Sequence, residues 1–178
     1  MNTKLMEYRI DGAVDKVELS IKRLRQFEPE EGYFLCFSGG KDSVVLKHLC
    51  QLAGVKYDGH YNITSVDPPE LVRFIKEAHP DIQRERFYYE DGRPITMWNL
   101  IPKKLMPPTR RNAYCCDQLK ERGGAGRIAI TGVRWAEGRK RSMNQGVLTM
   151  YNSVGKLQKE AENYGFRLNK AGGGCIIQ

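Results

Sequence analysis

Nowhere in the 178 residues does an apolar run approach the roughly 20 needed to span a bilayer as a helix. The opening stretch, Met-Asn-Thr-Lys-Leu-Met-Glu-Tyr-Arg, has no apolar core of the signal-peptide kind. A membrane partner is therefore not expected, and a cytoplasmic location is the default expectation. Cysteine is sparse and odd in number: five residues without a secretion signal argue for reduced thiols rather than a disulfide framework. Acidic residues are scarce in one quarter only. Between Ile101 and Gln145 eleven Lys or Arg face three acids, whereas the rest of the chain is balanced, so the whole net charge of +8 sits there. Such a stretch suits a polyanion, either nucleic acid or a nucleotide with several phosphate or sulfate groups. Internal repeats are also lacking.

What is present fits one soluble domain spanning residues 1–178. The chain is long enough to bury a core and too short for two ordinary domains, with 40% hydrophobic and 28% charged residues. Cys36 and Cys50 lie in apolar surroundings, where cysteine behaves as a small hydrophobe. Cys115, Cys116 and Cys175 lie in polar ones, and those three are the thiols open to chemistry.

The stretch Tyr33 to Leu46 organises the rest. Tyr33-Phe34-Leu35-Cys36-Phe37 reads as a buried strand, and Val44, Val45, Leu46, Leu49 and Leu52 predict a helix with one buried face. Between them lies Ser38-Gly39-Gly40-Lys41-Asp42-Ser43. Glycines let backbone approach a ligand closely, and the first amides of a helix have no partners within it and carry partial positive charge. Adding the Lys41 ammonium and the Ser38 and Ser43 hydroxyls gives a turn made for phosphate. It is not the Walker loop, which needs four residues between its first glycine and a Gly-Lys-Ser/Thr ending. A glycine turn capped by Asp42 and Ser43 is the plainer alternative.

Around this centre the pattern alternates. An opening helix is expected over about residues 9–27, from Ile10, Val14, Val17, Ile21 and Leu24. A second strand is expected over Val55–Thr64, a helix through Leu71–Ala78, and a third extended run over Ile82–Tyr89. This order predicts a parallel sheet with covering helices. Ligands in such sheets bind beyond the carboxyl ends of strands. Asp67 follows the second strand, where it is either a turn residue before Pro68 or part of the site. Residues 90–114 read as a long connection whose four prolines oppose a plain helix, with Trp98 read as a core residue in preference to a cover over an adenine. Arg127–Arg134 is the next strand, and Arg134 and Arg139 leave its carboxyl end, placed to fork onto an anionic group. A short helix over Gly155–Tyr164 and a glycine-rich tail over about residues 169–178 close the reading.

Ser38-Gly39-Gly40-Lys41-Asp42-Ser43 resembles the PP-loop of the adenine nucleotide α-hydrolases, a family that includes ATP pyrophosphatases and the phosphoadenylyl-sulfate (PAPS) reductases. Pro107-Pro108-Thr109-Arg110-Arg111, Cys115-Cys116-Asp117-Gln118-Leu119-Lys120 and Thr131-Gly132-Val133-Arg134 through Arg139 and Ser142 are similar to the PAPS reductase-like branch. The resemblance covers roughly residues 30–145. It implies a Rossmann-like parallel sheet sandwiched by helices, an adenine nucleotide (ATP, adenylyl sulfate or PAPS) on Ser38–Ser43 with Asp67 contacting it or its Mg2+, and anion binding by Arg110, Arg111, Lys120, Arg134 and Arg139. A role in sulfur metabolism, with a thioredoxin-like reductant as partner, is part of what it implies.

The chain departs from that branch at its end. The thioredoxin-dependent reductases carry a Glu-Cys-Gly-Leu-His tail and their iron–sulfur relatives a later Cys-x-x-Cys, and here only Cys175 follows the Cys115-Cys116 pair. A four-thiolate cluster needs four cysteines within reach and three are available, so Cys115 and Cys116 are iron–sulfur candidates without a complete set. Cys175 on a Gly-Gly-Gly hinge is the candidate nucleophile against a sulfonate. Three readings stay open: a sulfonucleotide-reducing oxidoreductase, an ATP pyrophosphatase that adenylates an acceptor for sulfur transfer, and a non-catalytic module binding nucleic acid or a partner through residues 101–145.

Overall fold

The computed structural model describes residues 5–9, 12–120, 123–124, 126–132, 148–151 and 174–177. The chain begins with two short strands, β1 (Met6–Arg9) and β2 (Gly12–Asp15), paired antiparallel and apart from the main sheet. Helix α1 (Lys16–Gln26) follows, shorter at its start than the expected 9–27. The reason is local. Gly12 takes φ +123°, outside helical space, and Asp15 caps α1 by accepting the Val17 amide at 3.0 Å.

The main sheet holds β3 (Tyr33–Cys36), β4 (Tyr57–Asn62), β5 (Gln83–Glu85), β6 (Ile128–Ile130), β7 (Leu148–Tyr151) and β8 (Gly174–Ile177), in the spatial order β5-β4-β3-β6-β8-β7. The first five strands of that order run parallel, and β7 pairs antiparallel to β8 at the edge. Helices α2 (Lys41–Ala53) and α3 (Pro69–Ala78) make the crossovers from β3 to β4 and from β4 to β5. The expected α/β architecture, a parallel sheet flanked by helices, is therefore present, with an antiparallel edge strand that was not foreseen.

Alternation along the strands sorts the two faces. Tyr33 and Leu35 pack with Leu24 of α1, Cys50 and Ala53 of α2, and Ile130. Phe37 and Tyr61 on the same face pack with Ile75 of α3 and with Ile82. Gly54 ends α2 in the left-handed conformation, φ +69°, as its place after the periodic run predicts. On the opposite face Phe34 lies beneath Gly123 and Gly124, where the 86–126 excursion returns to the sheet.

Two expectations for that excursion are corrected. Residues Met97–Lys104 do form a helix, α4, despite Pro102. A reciprocal cap starts it: Asn99 donates its amide to Thr96 Oγ1 and accepts the Thr96 amide on Oδ1 at 2.9 Å. Pro102 sits two residues from the helix end, where one lost rung matters least. Trp98 is not core either, being 70% exposed on α4. Leu100 is the buried residue of that turn, packed with Ile95, Tyr114 and Leu119.

The tail expected over 169–178 contributes a strand rather than a hinge. Residues Gly174–Ile177 are β8, inserted between β6 and β7, with Cys175 opposite Ile128 on one side and Met150 on the other. The predicted helix over 155–164 lies outside the described residues. Among the described residues no helix is long and apolar enough to cross a membrane.

Candidate functional site

β3 is the strand at which the chain changes direction in the sheet. The first crossover leads to β4 on one side, while β6 comes in on the other, so a crevice opens beyond the carboxyl end of β3. Ser38–Ser43 fills that position. Phe37 is still tied to β4, its amide donating to the His60 carbonyl at 2.8 Å. Gly39 then takes φ +74° and Gly40 becomes the N-cap of α2.

No side chain caps this helix, and its first rung runs from the Val44 amide to the Gly40 carbonyl at 3.1 Å. The helical amides ahead of that rung therefore lack partners within the helix. The two serines brace the turn internally. Ser43 Oγ donates to the Gly40 carbonyl at 2.9 Å and lies 3.3 Å from Ser38 Oγ, which accepts the Gly40 amide at a long 3.4 Å. Ser38, Gly40 and Lys41 are exposed, so the mouth of the turn is open to solvent. Lys41 has no acidic partner among the described residues, which leaves its charge available at the helix start.

Two contacts show why glycine is needed around the turn. A Cβ on Gly39 would stand 2.6 Å from Leu71 Cδ1 and 2.9 Å from Ile75 Cδ1, so α3 presses directly on the bend. A Cβ on Gly132 would stand 2.9 Å from the Asp42 carbonyl carbon. The end of β6 thus closes on the first turn of α2 from the other side. Gly132 was read as part of Thr-Gly-Val-Arg, but nothing in the sequence showed what it touches.

Asp67 stands just before α3, beside the turn that Leu71 contacts. Its Oδ2 accepts the Thr64 hydroxyl at 2.5 Å and the Thr64 amide at 3.1 Å, the turn role that was one of its two readings. Burial and the Asp67 carboxylate together push the neighbouring Tyr61 phenol up. Arg110 and Arg111 are exposed in a turn closed by the Thr109 amide and the Asn112 carbonyl, and no described contact joins them to the 38–43 turn. Lys120 is closer to the sheet, its carbonyl accepting Asn62 Nδ2 at 2.8 Å. Arg134 and Arg139 lie outside the described residues.

The thiols divide as their surroundings suggest. Burial pushes Cys36 up to about 11 and Cys50 up to about 12, which leaves both protonated and inert at neutral pH. Cys115 is half-buried against the cluster around Leu119, and Cys116 opens a short π-helical turn, Cys116–Lys120. Among the described residues no three His, Cys, Asp or Glu side chains converge as a metal site. The described residues thus give Cys115 and Cys116 no third thiolate for an iron–sulfur cluster. The backbone of Cys175 lies in the ladder of β8, between β6 and β7.

A polar row on the second face was not foreseen. His60 is 9% exposed, stacks on Phe34 at 4.0 Å and holds Glu85 Oε1 through Nδ1 at 2.5 Å. Among the described residues, His60 Nε2 and Thr131 Oγ1 are buried with no hydrogen-bond partner. Cys36 lies opposite His60 in the β3–β4 ladder. The only cue was the unusually polar strand Tyr57-Asp58-Gly59-His60-Tyr61-Asn62. Compared with known proteins, no family model matches this chain, and no curated protein matches it.

Proposed function

We propose that the chain is an adenine-nucleotide-binding domain of the PP-loop kind, with phosphates held on Ser38–Ser43. The carrying observation is the uncapped, solvent-open start of α2 at the crevice between β3 and β6, with Lys41 at its mouth and Gly132 closing on Asp42. Backbone amides there meet phosphate oxygens and Lys41 supplies the countercharge, while Ser38 and Ser43 hold the turn in shape through their own hydrogen bonds. Mg2+ travelling with the phosphates takes most of its ligands from them and from water, leaving Asp42 or Asp67 to supply one carboxylate. The groups at this end of the sheet neutralise developing negative charge on a transferred phosphoryl or sulfuryl group.

Two nucleotide classes fit this loop. A sulfonucleotide, adenylyl sulfate or PAPS, suits a reductase, which also needs an attacking thiol. ATP suits an adenylating pyrophosphatase, in which an acceptor nucleophile bonds to the α-phosphorus and pyrophosphate leaves with the electron pair. The second is supported by the backbone of Cys175 being paired within β8, since the reductase reading needs that residue to travel to the pocket. Titrating the full chain with ATP, adenylyl sulfate and PAPS decides the nucleotide. Magnesium-dependent pyrophosphate release from ATP, lost in Lys41→Ala, supports the adenylating reading. Absence of binding to all three nucleotides contradicts the function proposed here.

A further inference from the structure

A cleft of about 830 Å3 opens away from the 38–43 turn, between the Tyr88–Arg93 segment and α4. Its walls include Tyr88, Tyr89, Glu90, Lys103 and Gln118. The segment follows the edge strand β5. It folds back on itself through the Tyr89 amide to the Arg93 carbonyl at 2.9 Å and the Ile95 amide to the Phe87 carbonyl at 2.8 Å. α4 is anchored on the other side by its capping box and by the Met97 amide, which donates to Ser65 Oγ at 2.9 Å. The cleft's own Asn99 ties the two walls together, its Nδ2 donating to the Pro94 carbonyl at 2.7 Å and its Oδ1 accepting the Tyr89 hydroxyl at 3.4 Å.

The chemistry of the walls is aromatic and cationic. Tyr88 is 59% exposed, which leaves its ring accessible to a ligand in the cleft. Lys103 Nζ lies 4.4 Å from the centroid of the Tyr89 ring, and among the described residues no carboxylate pairs with it. The acid at the mouth is already engaged: Asp91 Oδ2 accepts Arg93 Nε at 2.8 Å and pairs with Arg93 Nη2 at 2.7 Å. Glu90 is exposed to solvent. Beyond the cleft, Arg84 and Arg86 on one flank and Lys104 on the other are exposed as well.

We infer that this cleft binds a nucleotide unit, with its base stacked on Tyr88 and its phosphate on Lys103. An open ring on the Tyr88–Arg93 wall and an ammonium without a carboxylate partner among the described residues on the facing α4 wall match a ligand that is planar at one end and anionic at the other. Gln118 supplies an amide that can bond a base edge. Exposed Arg84, Arg86 and Lys104 add positive charge outside the cleft, so a single strand is the source that the surface favours over a free mononucleotide. This inference does not rest on the 38–43 turn. It gives the nucleic-acid reading of the basic stretch a defined location.

Thymidine probes keep the two sites apart, since an adenine-selective loop has no use for them. Anisotropy of a labelled ten-residue thymidine strand is followed with the full chain, with thymidine monophosphate as competitor. Binding should weaken about five-fold or more in Tyr88→Ala, survive in Tyr88→Phe, and remain in Lys41→Ala. Lys103→Gln should lower the slope of affinity against salt by about 0.7. Competition by the monophosphate at equal concentration identifies the free nucleotide as the source and keeps the site. Binding that ignores both Tyr88→Ala and Lys103→Gln, or no binding of either probe at low salt, overturns the inference. Circular dichroism of each variant separates loss of fold from loss of the cleft.

Discussion

Gly132 sits against Asp42 so closely that a Cβ on the glycine would stand 2.9 Å from the Asp42 carbonyl carbon and 3.0 Å from its oxygen. The obstacle is backbone, which cannot swing aside as a side chain can. Gly132→Ala must therefore part β6 from the start of α2, at a cost of about 1–3 kcal/mol as for other overpacked sites. Because the displaced amides are those assigned to phosphate, nucleotide affinity should fall along with the urea midpoint. Unchanged affinity in a destabilised variant would separate the contact from the site.

The two loop glycines should respond differently. Gly39 has φ +74° and no room, so Gly39→Ala should cost about 1–3 kcal/mol from the strained conformation alone. Gly40 has φ −75°, and its nearest obstacle is Ser38 Oγ at 3.4 Å. Gly40→Ala should cost about 1 kcal/mol or less, the loss being that of a poorer N-cap with no clash and no strained φ. Equal losses of urea midpoint in the two variants would contradict this geometry.

That contrast shows where the sequence was readable. The strand, turn and helix around Ser38–Ser43 could be read because periodicity and glycine placement are local signals, as was the stop at Gly54. The start of α1 could not, because Ile10 and Val14 fit a helical period that Gly12 and Asp15 break. Trp98 misled because hydrophobicity does not say which side of a short helix meets the core. The contacts Gly132–Asp42 and Gly39–Leu71 join residues far apart in the chain, and only the sheet order brings them together.

Acid should weaken the packing between α2 and the end of α3. Lys47 Nζ lies 2.6 Å from Asp81 Oδ1 and 3.1 Å from His79 Nδ1. Burial first, and then the Lys47 charge, hold His79 below its usual value. Partial burial opposes the charged form of Asp81, and the Lys47 hydrogen bond more than offsets this, holding its carboxyl below the usual range. A group with a depressed folded value contributes stability above its unfolded value and loses it as pH falls. The loss should begin near pH 6.5, the ordinary histidine value, and deepen toward pH 4 as Asp81 joins. His79→Gln should flatten the upper part of the curve of urea midpoint against pH. An identical slope in that variant would rule His79 out as the source.

Thiol labelling should separate the cysteines. At pH 8, iodoacetamide followed by peptide mass spectrometry should mark Cys115 and Cys116 and spare Cys36 and Cys50, whose thiols burial keeps protonated. In denaturant all five cysteines of the chain should react alike. Native labelling of Cys36 as fast as Cys115 would show that the second face of the sheet is open.

The most direct test of the central claim is the backbone amide spectrum of the isotopically labelled protein during titration with ATP and Mg2+. The account predicts the largest saturable shifts at Gly40, Lys41, Asp42 and Ser43, a smaller one at Gly132, and their loss in Lys41→Ala. Shifts absent from residues 38–43, or concentrated elsewhere and indifferent to Lys41, would contradict it.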